Sequence, residues 1–176
     1  MVHIADKNPE EARETITVRD RWNVLAVLIR PDGRKTIHGA NIVTDDGDLY
    51  YAQRGAAETP TNSYVGIRLG TATGAPSKSD TDVGTEDSAG RKATDATYPQ
   101  TNDPDSDNTG AGLDIVSWRF SYAKAEGNIT GIAEGAIVDS LTSPTSALTH
   151  FLFAAPFTKT ANDTLKVFVN HEFLGV

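Results

Sequence analysis

Residues 113–123 read Leu-Asp-Ile-Val-Ser-Trp-Arg-Phe-Ser-Tyr-Ala, and every second side chain falls on the same face. A period of two is strand geometry, because successive side chains of a strand point to opposite sides of a sheet. Asp114, Val116, Trp118, Phe120 and Tyr122 share one face, which is apolar enough to belong to a core. Leu113, Ile115, Ser117, Arg119, Ser121 and Ala123 share the other. Residues 164–173 alternate in the same way, with Leu165, Val167, Val169 and His171 opposite Lys166, Phe168, Asn170 and Glu172. A chain with such segments is committed to sheet, and the rest of the sequence agrees.

Residues 22–30 and 36–43 read as two strands joined at Pro31-Asp32-Gly33-Arg34, where Pro and Gly stand at turn positions. Further short strands fall at 15–18, 64–69, 129–138 and 148–155. Asp45-Asp46-Gly47-Asp48 reads as a turn feeding Leu49-Tyr50-Tyr51, a pair of tyrosines of which only one can face the core of a strand. About ten short strands between turn signals predict an all-β chain: an antiparallel β-sandwich, jelly roll or small barrel in one domain. Residues 1–20 read as an N-terminal arm, with one helical turn at 9–14, and 21–176 as the β-sandwich domain.

From Thr71 to Gly112 the chain changes character. Nearly every residue is small or polar, and Val83 and Tyr98 are the only large apolar side chains. So long a polar segment cannot form a core of its own, and is expected to project to solvent or wrap a neighbour.

Composition closes several functional classes. The 176 residues include no Cys, which removes disulfides, thiolate metal sites and cysteine nucleophiles together. With 24 acids against 16 bases, a net charge of −8, the chain lacks the positive charge that drives nucleic-acid binding. The longest apolar run, 24–29, is far short of the roughly 20 residues of a membrane helix, and the opening residues carry no secretory signal core. No Gly-x-Ser-x-Gly elbow, phosphate loop or dinucleotide fingerprint occurs, so a non-enzymatic protein is expected.

One segment has ligand spacing. Asp103, Asp105, Asp107 and Asp114 stand at positions 1, 3, 5 and 12 of a loop that could wrap oxygen ligands around Ca²⁺. Against this, position 6 is Asn108, position 12 is the short Asp, and no helices flank the loop, so a solvated acidic loop is the competing reading. His3, His38, His150 and His171 are scattered, and isolated histidines are expected to be structural or surface groups. Trp22, Trp118, Phe120, Tyr122, Phe151, Phe153 and Phe168 sit at strand spacing and read as core or subunit interface.

A resemblance joins several of these segments. Ile67-Arg68-Leu69-Gly70-Thr71-Ala72-Thr73-Gly74-Ala75-Pro76, Ser79-Asp80-Thr81-Asp82-Val83-Gly84-Thr85-Glu86 and Arg91 are followed by Ile132-Ala133-Glu134-Gly135-Ala136-Ile137. Phe157-Thr158-Lys159-Thr160 and Asp163-Thr164-Leu165-Lys166-Val167 come last. In that order they resemble small β-rich structural proteins of tailed viruses. The resemblance implies a virion component without catalytic residues: an oligomeric capsid decoration or turret protein, a homotrimer by preference. It would sit on the outer capsid surface with the major capsid protein as its partner. A tail or fibre part that binds a receptor or glycan is the alternative it implies.

Overall fold

The computed structural model describes residues 23–101, 115–143 and 145–173. They form β1 (Val24–Arg30), β2 (Gly33–Val43), α1 (Asp45–Gly55), β3 (Gly66–Gly70), β4 (Lys92–Ala93), β5 (Gln100–Thr101), β6 (Ile115–Tyr122), β7 (Ile129–Val138), β8 (Ala147–Lys159) and β9 (Thr164–Glu172). The all-β antiparallel class is what forms. All nine strands hydrogen-bond into a single sheet in the order β4-β3-β7-β8-β2-β1-β9-β6-β5. The arm at 1–20 and the Asp103–Asp114 loop lie outside the described residues.

The sheet curls until its two ends meet. The Thr94 N–H donates to the Val65 carbonyl at 2.9 Å, at the β3 end. The next N–H, that of Asp95, donates to the Arg119 carbonyl of β6 at 3.0 Å. Residues 92–101 thus start as β4 against β3 and finish as β5 against β6, lacing the two edges together. Unpaired strand edges invite association with other chains, and lacing removes most of that exposure.

The curl encloses one apolar core. Val24, Ala26 and Leu28 of β1 point into it, as do Trp118, Phe120 and Tyr122 of β6 and Leu165, Val167 and Val169 of β9. For β6 this is the face that alternation assigns inward, and for β9 it is one of the two faces that alternation separates. The expected hairpin is also present, with Val24 opposite Gly39 and Arg30 opposite Gly33. β7 and β8 keep register only in pieces, with shifts between Ile129 and Ile132 and again between Ile132 and Glu134. On β8 the slack falls at Ala154-Ala155-Pro156, all exposed, where a residue without an N–H is harmless.

Two expectations need correction. Residues 45–55 form a helix, where the sequence reading has a turn leading into a strand pair of tyrosines. Thr44 is its N-cap, accepting from the Gly47 N–H at 3.1 Å, and Asp45, Asp46 and Asp48 fill the first turn where the helix dipole favours acids. On a helix, neighbouring side chains diverge by about 100° instead of opposing one another, so both Tyr50 and Tyr51 pack against the core. The second correction concerns the polar segment. Residues 71–93 do not project; they lie back across the outer face of β3, β7 and β8. Val83 is the apolar plug there, packed with Ala136, Val138 and Ala147. Tyr98, the other large apolar residue of the segment, lies under the Arg119 guanidinium at 4.2 Å. The two exceptions to the segment's polarity are two of its anchor points.

α1 sits so close to β8 that only glycine fits at its first turn. A Cβ on Gly47 would stand 2.0 Å from the Leu148 carbonyl oxygen, which is backbone and has little freedom to yield. The substitution G47A should therefore lower stability by about 2–3 kcal/mol, the range for overpacking a tight contact, in chemical denaturation followed by far-UV dichroism. A change under about 0.5 kcal/mol would show that the helix docks less closely.

Candidate functional site

Three ionisable residues interrupt otherwise apolar strands: Arg68 in β3, Glu134 in β7 and His150 in β8. All three are buried, and all three lie on the outer face under the 71–91 segment. Registry puts them there, since Arg68 is opposite Ala136, Gly70 opposite Glu134 and Ala136 opposite His150.

Glu134 is the hub. One carboxylate oxygen accepts from the backbone N–H groups of Ala72 at 3.1 Å and Thr85 at 2.8 Å. The other accepts from Gly84 N–H at 2.9 Å and lies 2.9 Å from His150 Nε2. Its side chain is fully buried, and Gly70 opposite leaves room for it, because a Cβ there would meet the carboxylate at 2.4 Å. Burial pushes the Glu134 pKa up, but the His150 hydrogen bond and the three backbone donors outweigh it and hold it below the ordinary value.

His150 bridges two carboxylates, with Nδ1 2.6 Å from Asp80. Burial disfavours its protonated form, yet the hydrogen bonds and charges of Glu134 and Asp80 prevail and raise its pKa. The Asp80 pKa is lowered by the same contact against its own burial.

Beside this lies a second cluster. Arg68 clasps Glu86 with two nitrogens and Asp82 with a third. Arg91 binds the same Glu86 carboxylate at 2.5 and 3.0 Å. Held first by Arg91 and then by Arg68, against some desolvation, the Glu86 pKa falls to about 2. Arg68 is only 1 % exposed, and these carboxylates balance its buried charge.

Both nitrogens of His150 and both oxygens of Glu134 are engaged by other groups of the same chain. Among the described residues, no group of three or more His, Asp or Glu is arranged to hold a metal ion. The Ca²⁺ candidates Asp103, Asp105, Asp107 and Asp114 fall outside those residues.

His171, the other histidine that matters, stands at the open end of the curled sheet. Its Nδ1 lies 2.5 Å from the Tyr51 hydroxyl, which in turn is 3.4 Å from the Trp118 indole N–H. Burial alone depresses its pKa to about 4, so the ring is neutral at neutral pH.

The comparisons add no relative. No family model matches the sequence, no curated protein matches it, and no solved structure matches the chain.

The sequence reading had Arg68 and Glu134 only as motif residues of the resemblance, His150 as a structural or surface group and Tyr51 as one of a pair of which one enters the core; it did not foresee how they pair. The signal for the first three is present in the sequence as a charge or an imidazole inside an apolar strand. Such a residue must be paired when it is buried.

Two predictions follow from this wiring. In E134Q the amide can no longer accept at both positions from three backbone donors and His150. Amide hydrogen exchange at Ala72, Gly84 and Thr85 should then accelerate at least tenfold while β1 and β9 keep their protection; unchanged exchange would refute the clamp. The second concerns pH. A raised His150 pKa contributes stability that is complete below 6.5 and lost as pH climbs through the folded value. The lowered His171 pKa acts oppositely: as pH falls from 6.5 to about 4 the unfolded chain takes a proton that the folded chain refuses. Glu134, Asp80 and Glu86 add their losses at still lower pH. The thermal midpoint should peak near pH ~6.5 and fall on both sides. A midpoint rising steadily from pH ~5 to ~8 would contradict the assignment.

Proposed function

We propose that the chain is a virion structural protein, an oligomeric decoration or turret protein of the outer capsid surface. The observation that carries this reading is the convergence of the motifs behind the resemblance. Arg68, Asp80, Asp82, Glu86, Arg91 and Glu134 come from three separate stretches of sequence, and they meet in two neighbouring polar clusters on one face of the sheet. Residues kept together for packing and internal ion pairing suit a scaffold. Residues kept for catalysis would open onto a cleft.

The remaining properties agree with the role. In this reading the single curled antiparallel sheet over one core serves as the compact scaffold of a decoration protein. Laced edges limit uncontrolled strand addition in a particle that displays many copies close together. A net charge of −8 keeps neighbouring surfaces soluble and apart. In this reading the chain is not an enzyme. Its partners are the major capsid protein and two further copies of itself.

Quantitative mass spectrometry of purified particles tests the role by copy number. Hundreds of copies per particle, in fixed ratio to the major capsid protein, are expected. A handful of copies would move the chain to the tail, and absence from particles would end the virion reading.

A further inference from the structure

His150 stands between two carboxylates, and the valence of its ring makes that position conditional. Nε2 lies 2.9 Å from Glu134 and Nδ1 lies 2.6 Å from Asp80. A neutral imidazole carries one N–H and a lone pair on its other nitrogen, so it donates to only one of the two. The other carboxylate would then face a lone pair at hydrogen-bond distance, beside a side chain that is 5 % exposed. The bridge as it stands requires the imidazolium.

The two contacts differ in what holds the carboxylate. Glu134 is buried and also accepts from the Ala72, Gly84 and Thr85 N–H groups, so it cannot withdraw without leaving those donors unpaired. Asp80 accepts from one N–H besides the ring, that of Ser77 at 2.7 Å, and its side chain is 28 % exposed, so water can replace the ring. When His150 gives up one proton, the other stays on Nε2 against the fixed carboxylate. The Nδ1 contact is the one to part.

What parts with it is one turn. The Asp80 N–H donates to the Ser77 carbonyl at 3.1 Å, closing residues 77–80. Next to Asp80 on both sides the chain is tied down by neutral bonds: the Lys78 carbonyl accepts from the Asp45 N–H of α1 at 2.9 Å, and the Thr81 carbonyl from the Thr145 hydroxyl at 2.8 Å. The other charges around the turn are committed elsewhere. Lys78 pairs with Asp48 of α1, Asp46 accepts from Ser146, and Asp82 and Glu86 are held by Arg68 of β3, with Arg91 on Glu86. Ile42 of β2 and Ala136 of β7, opposite His150, carry no charge. Burial works against the charged ring, Glu134 and Asp80 work for it, and the carboxylates prevail. We propose that the His150–Asp80 contact is a proton-operated latch. It is closed while the ring carries both protons and opens when one leaves, freeing the Ser77–Asp80 turn from β8 while Glu134 keeps the rest of the cover in place.

The latch does not rest on the virion reading, and the two fail separately, since the latch is tested on the isolated full chain. Long-range proton–nitrogen NMR spectra of the histidine rings, recorded from pH ~6 to ~10, count the protons on His150. Both ring nitrogens should be protonated at pH ~6.5, where an ordinary histidine is half neutral. As the ring titrates, the Ser77 amide should lose at least tenfold of its exchange protection, after correction for the intrinsic rate. Ala72, Gly84 and Thr85 should keep theirs. D80A alters a partly exposed side chain and should fold; the ring's midpoint should drop by about one pH unit or more, and the pH dependence at Ser77 should vanish. A ring already half neutral at pH ~6.5, Ser77 exchange indifferent to the ring's titration, or an unchanged midpoint in D80A would overturn the proposal. So would loss of protection at Gly84 and Thr85 together with Ser77, because the whole cover would then be opening.

Discussion

The outer layer of this protein depends on one buried carboxylate. Glu134 has no exposure, and three backbone N–H groups from a segment about 50 residues earlier in the chain converge on it. Burying an unpaired carboxylate would be prohibitive, so the 71–86 segment and the β7 strand require each other. The segment gains acceptors that it could not find in its own Gly- and Thr-rich sequence. The strand gains donors that make its buried charge tolerable. His150 then balances the charge, and Asp80 at its far nitrogen ties in a further turn of the same segment.

This arrangement explains how a sheet with charged groups on its outer face can be covered by a segment with almost no apolar residues. Covering a sheet face normally takes a second apolar layer. Here Val83 supplies a single plug, while Arg68, Glu134 and His150 hold the cover by hydrogen bonds and ion pairs. Such bonds contribute little net stability when formed, but losing one partner leaves a buried group unsatisfied. The cover is thus specific in position more than it is strong, and it ties the tertiary structure to pH through a histidine whose pKa is raised and carboxylates whose pKa values are lowered.

Much of the sheet is legible in the sequence because alternation is a local property. The inward face of β6, the two faces of β9 and the β1–β2 hairpin follow from spacing and a Pro-Asp-Gly turn alone. α1 was not legible for a definite reason: Thr44-Asp45-Asp46-Gly47-Asp48 satisfies turn chemistry and helix N-terminal chemistry equally. What decides between them is the approach of Leu148, over 100 positions away. The polar segment misleads in a related way. Polarity predicts exposure only when there is nothing buried for the polar groups to satisfy, and the sheet supplies Arg68, Glu134 and His150. Their signal was visible, as charges within apolar runs, but pairing them needs strand order, which alternation does not provide.

The two polar regions of the molecule differ in how fully their groups are paired. In the Glu134 network, donors and acceptors are matched within the chain, so a ligand entering there would have to break bonds before making any. At the sheet mouth the count does not close: His171 Nε2 and Asn41 Nδ2 are buried without a hydrogen-bond partner. A perturbed histidine occurs in both places, raised in one and depressed in the other, so perturbation alone does not separate them. Satisfaction does. The Glu134 network is matched within the chain and holds the cover in one arrangement, while the sheet mouth keeps two buried polar atoms unpaired.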